Sequence, residues 1–241
     1  MNLLSLVTVY NNKDLLAKML ASAKMQKNVD IDYVFIDNTL NRFSSAAKAL
    51  NYGAERAKGD VIVFLHQDIE FLQDNALETI YLFGMEHKNT VFGAAGVKAK
   101  KTDTGEFYSS MYEGEKKVQH KCCVIPTDCQ TLDECLIACH KSCMEKISFD
   151  ETICNGWHLY GADLCLQTGM IPTMNVMVIP MDFVWHKSNG KMDDSYLRTQ
   201  NLLSKKYKGF YSVINTTNGY QYTNPMKMLL VNFYRKLRYI K

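Results

Sequence analysis

Hydrophobic positions along the first hundred residues switch repeatedly between two patterns. Leu3 to Tyr10 is a continuous apolar and β-branched run that stops at Asn11-Asn12, as expected of a strand covered on both faces. Beyond it, Leu15, Leu16, Met19, Leu20 and Ala23 recur at helical spacing behind an Asn or Asp cap. The pair then repeats. Asp32 to Ile36 is a second buried run ending in Asp37-Asn38-Thr39, and Ala46, Ala47, Leu50, Ala54 and Ala57 mark a helix that stops at Gly59. Val61 to Leu65 is the third strand. A βαβαβ unit implies right-handed crossovers and a parallel sheet whose strand C-termini open on one edge.

The pattern continues with a helix at Asn75 to His87 and a strand near Val91 to Val97, then weakens. Lys98 to Lys121 is rich in Gly and Lys and reads as a variable loop or hairpin over the site. Leu132 to Lys146 reads as a helix, Phe149 to Trp157 as loop, Leu159 to Gly169 as a helix and Val176 to Pro180 as a strand. Repeats and low-complexity linkers are absent. The expectation is an α/β fold with a mostly parallel central sheet flanked by helices. One domain should span residues 1–215, in two halves of about 1–97 and about 98–215, with a tail at 216–241.

Composition sharpens this picture at the C-terminus. The chain has 241 residues, 47% of them apolar, and a net charge of only +3, so a real core is expected and nucleic acid is not an expected partner. The charge is unevenly placed: Ser195 to Lys241 holds nine Lys or Arg and no acid, which leaves the body at −6. Met226, Met228, Leu229, Leu230, Val231, Phe233, Tyr234 and Tyr239 are interleaved with these cations. Two readings of this amphipathic tail stay open: a segment lying on an anionic membrane surface, or a helix packed on its own domain. The sequence contains neither a run of roughly 20 apolar residues nor a basic n-region with a long h-region. The expected location is cytoplasmic, at most peripheral at the inner face of a membrane.

Six of the eight cysteines fall between Cys122 and Cys143. Cys135, Cys139 and Cys143 step by four, which suits one helix face and lacks the paired gaps of a zinc site, so buried free thiols are expected. The sequon Asn215-Thr216-Thr217 is read as chance.

The chemistry gathers at strand ends. Thr8-Val9-Tyr10-Asn11, Asp37-Asn38 and His66-Gln67-Asp68 close three neighbouring strands, and open α/β sheets bind ligands in the crevice outside such ends.

The order of these blocks resembles the family 2 glycosyltransferases, enzymes of the GT-A fold that use a nucleotide-activated sugar. Leu4-Ser5-Leu6-Val7-Thr8-Val9-Tyr10-Asn11 is similar to the family's opening strand, and Phe35-Ile36-Asp37-Asn38 to its second. Asn51-Tyr52-Gly53 with Ala57-Lys58-Gly59-Asp60 resembles its helix-to-strand run. His66-Gln67-Asp68 stands where the family carries Asp-X-Asp, as in a bacterial subgroup with His in the first place. Trp157 to Leu166 and Val184-Trp185-His186-Lys187-Ser188 complete the likeness.

The resemblance implies an inverting transferase that moves a sugar from a nucleoside-diphosphate donor, a uridine donor fitting best, to a glycan or lipid-linked acceptor. It implies nucleotide contacts from Thr8, Val9, Tyr10, Asn11, Asp37 and Asn38. Asp68 and His186 would hold a divalent metal, Mn²⁺ or Mg²⁺, with the imidazole favouring Mn²⁺. His66 is expected behind the ligands or against the donor. Asp163 is the expected catalytic base. Gln67, Asp133, Glu134, Trp157 and His158 are candidates for the donor or acceptor sugar. An alternative is a catalytically silent module of the same fold that binds sugar nucleotide or glycan, which His66 for Asp and Ala162 for Glu leave open. A nucleotidyltransferase is disfavoured because no Gly-rich phosphate loop follows the first strand.

Overall fold

The structure, a computed structural model, describes residues 2–100, 104–187 and 194–230. Its first third is the expected βαβαβ unit: β1 (Leu3–Tyr10), α1 (Lys13–Lys24), β2 (Asp30–Asp37), α2 (Ala46–Ala54) and β3 (Val61–Leu65). β1 pairs parallel with both β2 and β3. Asn12 caps α1 by accepting the N–H groups of Asp14 and Leu15, and Ser45 caps α2 through the N–H of Lys48, supplying acceptors to donors that the helices leave open. Gly59 makes the return to β3 possible, since a Cβ there would fall 2.5 Å from the backbone nitrogen of Ser5.

Next come β4 (Ile69–Phe71), α3 (Ala76–Glu86), β5 (Thr90–Gly93) and β6 (Ala95–Lys98). The single strand expected at 91–97 is therefore two, because β5 stays in the central sheet while β6 turns into a smaller one. The segment expected as a loop or hairpin contains β7 (Glu106–Ser109), β8 (Tyr112–Glu113) and β9 (Val118–Gln119). β10 (Thr127–Asp128), β11 (Thr131–Leu132) and β12 (Leu136–His140) follow.

β12 corrects the helix expected over 132–146. Leu136 to Cys139 lies fully buried between β3 and β5, antiparallel to both. A short apolar run covered on both faces cannot be told from a buried helix by periodicity. Only Lys141–Cys143 forms one 3-10 turn. Cys139, within β12, and Cys135, just ahead of the strand and outside its alternation, enter opposite cores rather than sharing a helix face. All eight cysteines are free; Cys122 is exposed, Cys129 partly covered and the others buried.

The remaining elements are α4 (Tyr160–Gly169), β13 (Asn175–Val178), β14 (Val184–His186), α5 (Asp194–Lys206), β15 (Val213–Thr216) and β16 (Gly219–Tyr222). The central sheet runs β10-β13-β5-β12-β3-β1-β2. It is mixed, with β1–β2, β1–β3 and β5–β13 parallel, and β12 and β10 antiparallel to their neighbours.

Alternation along β3 shows how the layers form. Val61, Val63 and Leu65 face a core shared with Met19 of α1 and Leu77 and Ile80 of α3, while Ile62 and Phe64 face one shared with Ala47 and Leu50 of α2 and Leu164 of α4. Both faces of the sheet are covered, and each fully buried branched side chain contributes roughly 1.5–3 kcal/mol of transfer free energy.

Two small sheets carry the edge of the site. One is β11-β6-β7; the other, β4-β14-β8-β9, sets His186 opposite Ile69 and in register with Glu113. The β15–β16 hairpin packs on the first of these, so the body continues past residue 215, which lies inside β15. Asn215 is buried and its Nδ2 donates to Gln130 Oε1 at 3.0 Å, which bars glycosylation of the folded chain at that sequon. Residues 225–230 are helical, and the rest of the expected tail, 231–241, lies outside the described residues. No helix among the described residues is long and apolar enough to cross a membrane.

Candidate functional site

β3 ends in a turn that the neighbouring strands hold in place. The backbone N–H of His66 donates to Cys135 O at 2.9 Å, and that of Lys187 donates to Asp68 O at 3.1 Å. These bonds bring β14 to the end of β3. His186 Nε2 then stands 3.4 Å from Asp68 Oδ1, and the His66 and His186 rings lie 5.5 Å apart, centre to centre. One ligand-capable atom from each of His66, Asp68 and His186 lies within 4.8 Å of the others.

The three groups set one another's ionisation. Burial and the charge of His186 push His66 down to about 4, so its ring is neutral at physiological pH. Its Nε2 lies 3.0 Å from Tyr160 OH. Burial pulls Asp68 upward, but the hydrogen bond and charge of His186 outweigh it and hold the carboxyl below its ordinary range. His186 is the converse: burial lowers it, Asp68 raises it, and the net direction is up. His186 Nδ1 is buried with no hydrogen-bond partner among the described residues. Two imidazoles and a carboxylate fit a divalent cation of borderline softness, and His66 joins this group although the sequence reading set it behind the ligands.

A cavity of about 450 Å³ opens over these residues. Val9, Tyr10, Asn11 and Asn38 line one wall, and His66, Gln67 and Asp68 its floor. Gln67 has a second duty: its Oε1 accepts the N–H groups of Asn11 (3.1 Å) and Asn12 (2.9 Å), and its Nε2 donates to Asn11 Oδ1 at 2.8 Å. It clamps the β1–α1 loop. Thr8 does not reach the cavity, because its side chain is fully buried within the sheet. Asp37 stands outside the lining as well. Its carboxylate accepts the Thr39 hydroxyl at 2.6 Å and the Thr39 N–H at 2.8 Å, and these two bonds hold it below its ordinary range.

Asp163 requires correction as the expected base. It is fully buried on α4 and away from the cavity, with Oδ1 taking bonds from Lys206 Nζ (2.7 Å) and Tyr207 OH (2.8 Å) and Oδ2 one from Gln167 Nε2 (2.7 Å). Its carboxylate is therefore not presented to the cavity. Besides Asp68 and Glu113, the carboxyls that face the cavity are Asp133 and Glu134, in the link between β11 and β12.

These adjacent carboxyls are set apart in acidity. Burial would raise Asp133, but Thr217 Oγ1 donating at 2.7 Å, the Cys135 N–H donating at 3.0 Å and the two nearby histidines keep it below its ordinary range. Burial and the charge of Asp133 push Glu134 up to about 8. Glu134 Oε1 accepts the Gly161 N–H at 3.1 Å. Leu159, at φ 65°, provides no side-chain cap for α4, so Glu134 supplies the acceptor from another element. Gly161 is required by this approach, since a Cβ there would meet Ile137 Cδ1 at 2.6 Å and Glu134 Cγ at 2.8 Å.

Trp157 and His158 line the cavity from the loop before α4, with Trp157 42% exposed. The sequence reading missed Tyr160, Glu113 and Asn218, which also line it. Only Tyr160 had a sequence signal, as the first residue of a helix that starts beside the crevice.

Comparison with known proteins gives a consistent answer. Residues 5–207 match the sequence profile of a family described as glycosyltransferase-like. A curated relative, "ATP synthase subunits region ORF 6" of Fuscovulum blasticum, is 25% identical over 166 residues, 65% of this chain and 63% of that protein. The chain thus spans somewhat under two thirds of the relative's length. Among solved structures, S. aureus TarS superposes with a TM-score of 0.57 at 12% identity, covering 87% of this chain and 44% of that one. TarS 1–349 in complex with UDP-GlcNAc superposes equally well, at 14% identity with 87% and 67% coverage. These likenesses match the chain's α/β fold to that of GT-A glycosyltransferases.

Proposed function

The chain belongs to the glycosyltransferase-like family, whose profile spans residues 5–207, and we propose that it moves a sugar from a nucleoside diphosphate to an acceptor hydroxyl with inversion at the anomeric carbon. A uridine donor fits best, and the acceptor is a glycan or lipid-linked sugar. The observation that carries this reading is a single cavity in which Val9, Tyr10 and Asn11 form one wall, Asp68 and His186 stand 3.4 Å apart at the floor, and Asp133 faces them. A comparable fold is known with UDP-GlcNAc in S. aureus TarS.

Asp68, His186 and His66 would hold Mn²⁺ or Mg²⁺, which when bound supplies neutralisation of the leaving diphosphate. The residues do the rest. Gln67 fixes the loop against which the nucleotide lies. Tyr160 fixes the His66 ring. Asp133, ionised at neutral pH, takes the acceptor proton, the role first expected of Asp163. At the C-terminal end, exposed Phe210, Met226, Leu229 and Leu230 stand among exposed Lys205, Lys208 and Lys227. This mixture suits an anionic membrane surface, where a lipid-linked acceptor would lie.

The test is calorimetry and thermal shift with uridine diphosphate and its sugars, with and without Mn²⁺, on wild type and Asp68→Ala, followed by turnover of wild type and Asp133→Asn. Metal-dependent stabilisation lost in Asp68→Ala, with turnover lost in Asp133→Asn, supports the transferase. Binding without turnover of any donor makes the chain a silent binding module. No nucleotide binding under any metal condition overturns the donor site.

A further inference from the structure

A second cavity, of about 280 Å³, adjoins the first and shares Glu113, Asp133 and Asn218 with it. Its floor is apolar: Met111 is nearly fully buried, and Phe107 of β7 presents a 36% exposed side chain. Its roof is the turn of the β15–β16 hairpin. Thr217 Oγ1 pins that turn by donating to Asp133 Oδ2 at 2.7 Å. Asn218 beside it is exposed and makes no hydrogen bond within the described residues. Glu113 is held from the other side, 2.8 Å from His120 Nε2, and the His120 ring packs 5.2 Å from Phe107.

The chemistry of this chamber selects its occupant. An aromatic ring and a thioether below, with two carboxylates and a free amide around the rim, match a sugar ring that has one apolar face and a hydroxyl edge. Among the described residues, no Lys or Arg lines it. A phosphorylated or carboxylated ring would meet two carboxylates with no compensating cation, whereas a neutral ring or one bearing an amine meets acceptors. The size adds a constraint: the larger cavity has room for a nucleotide sugar, the smaller one for little more than a single ring.

We propose that the side chamber is the acceptor subsite, taking one uncharged or amine-bearing sugar ring stacked on Phe107 and Met111 with its hydroxyls on Glu113 and Asn218. This rests on the donor-site reading above. Asp133 stands at the junction of the two cavities. The acceptor oxygen forms a bond to the anomeric carbon, its proton passes to Asp133, and the bond to the diphosphate oxygen breaks with its electron pair leaving on the nucleotide. The hairpin turn is thereby a specificity element.

Two measurements test this. The first follows the Met111 methyl signal by NMR, assigned with Met111→Leu, while methyl glucoside, methyl galactoside, glucosamine and glucose 6-phosphate are added in turn. A shift with the neutral or amine sugars and none with the phosphate is expected; no shift with any of them, or a preference for the phosphate, overturns the proposal. This result is independent of the donor, so failure of the donor reading shows separately as absent uridine diphosphate binding. The second compares Phe107→Ala and Asn218→Ala with wild type for acceptor KM, expected to rise by about tenfold or more in each, while calorimetric donor affinity stays unchanged in Phe107→Ala, whose ring lines the side chamber alone. An acceptor KM unchanged in both variants sinks the assignment.

Discussion

Lys206 Nζ lies 2.7 Å from the fully buried Oδ1 of Asp163 and 2.8 Å from Asp150 Oδ2, so one ammonium ties α5 to α4 and to the loop before it. Tyr207 OH donates to the same Asp163 oxygen. Removing one member of a buried ion pair strands the other charge, which costs about 3–5 kcal/mol. Asp163→Asn leaves Lys206 partly exposed and still paired with Asp150, so it is expected to lower stability by less than that order, about 1–3 kcal/mol, while donor affinity per folded molecule persists. Denaturant unfolding beside uridine diphosphate calorimetry checks it. Collapse of turnover with unaltered stability would return Asp163 to a catalytic role.

Proton release should accompany metal binding. His186 titrates above its ordinary 6.5: burial alone would lower it, but the Asp68 carboxylate raises it. In the metal-free protein this pair contributes stability at low pH that is lost as pH rises through the folded-state value. A cation needs the Nε2 lone pair, so the proton must leave. Mn²⁺ affinity is expected to fall about tenfold per pH unit below the His186 titration. Calorimetry in buffers of different ionisation enthalpy should show the released proton, and its absence would place the cation elsewhere.

Glu134 gives a signal of the same sign that can be separated from that of His186. Its folded value of about 8 stands above the ordinary 4.5 because of burial and the Asp133 charge, so between those two values the folded chain binds more protons than the unfolded chain. Stability then falls as pH rises across that window. His66 acts the other way, since its depressed value of about 4 costs stability as pH falls from 6.5. Comparing wild type with Glu134→Gln cancels the His66 contribution. The expected result is that wild type loses melting temperature between pH 5 and pH 8 relative to the variant; parallel curves would mean that Glu134 titrates normally.

The N-terminal half of the fold was legible because its strands and helices carry unbroken periodicity, and strand ends are where parallel sheets put their ligands. Val9, Tyr10, Asn11 and Asp68 are placed by that rule alone. β12 was not legible, since Leu136 to Cys139 is too short for its period to separate strand from helix. Asp163 misled for a related reason: position in a helix says that a carboxyl lies near the crevice, whereas the Lys206 and Tyr207 that consume it come from about 40 residues later. Asp133 shows the converse, because its exposure to the cavity depends on a strand the sequence reading had taken for a helix.

Gln67 offers the sharpest separation of binding from folding. Its side chain spends three hydrogen bonds on Asn11 and Asn12, at 2.8 to 3.1 Å, all at the exposed lip of the cavity. Exposed hydrogen bonds contribute about 0.5–1.5 kcal/mol each at most, because water replaces them. Gln67→Ala should therefore cost little stability. It does release the β1–α1 loop, which the proposed function sets against the nucleotide, and a loop that must be ordered on binding takes that entropy out of the affinity. Uridine diphosphate affinity is expected to fall about tenfold, with a melting temperature within a few degrees of wild type. Gln67→Glu sharpens the test, since it keeps the two accepted bonds but loses the donation to Asn11 and sets a negative charge beside Asp68. It should restore loop order, measured as protection of the Asn11 and Asn12 amides from hydrogen exchange, yet still weaken diphosphate binding. Equal affinity in all three proteins would show that the clamp and the nucleotide wall are unrelated.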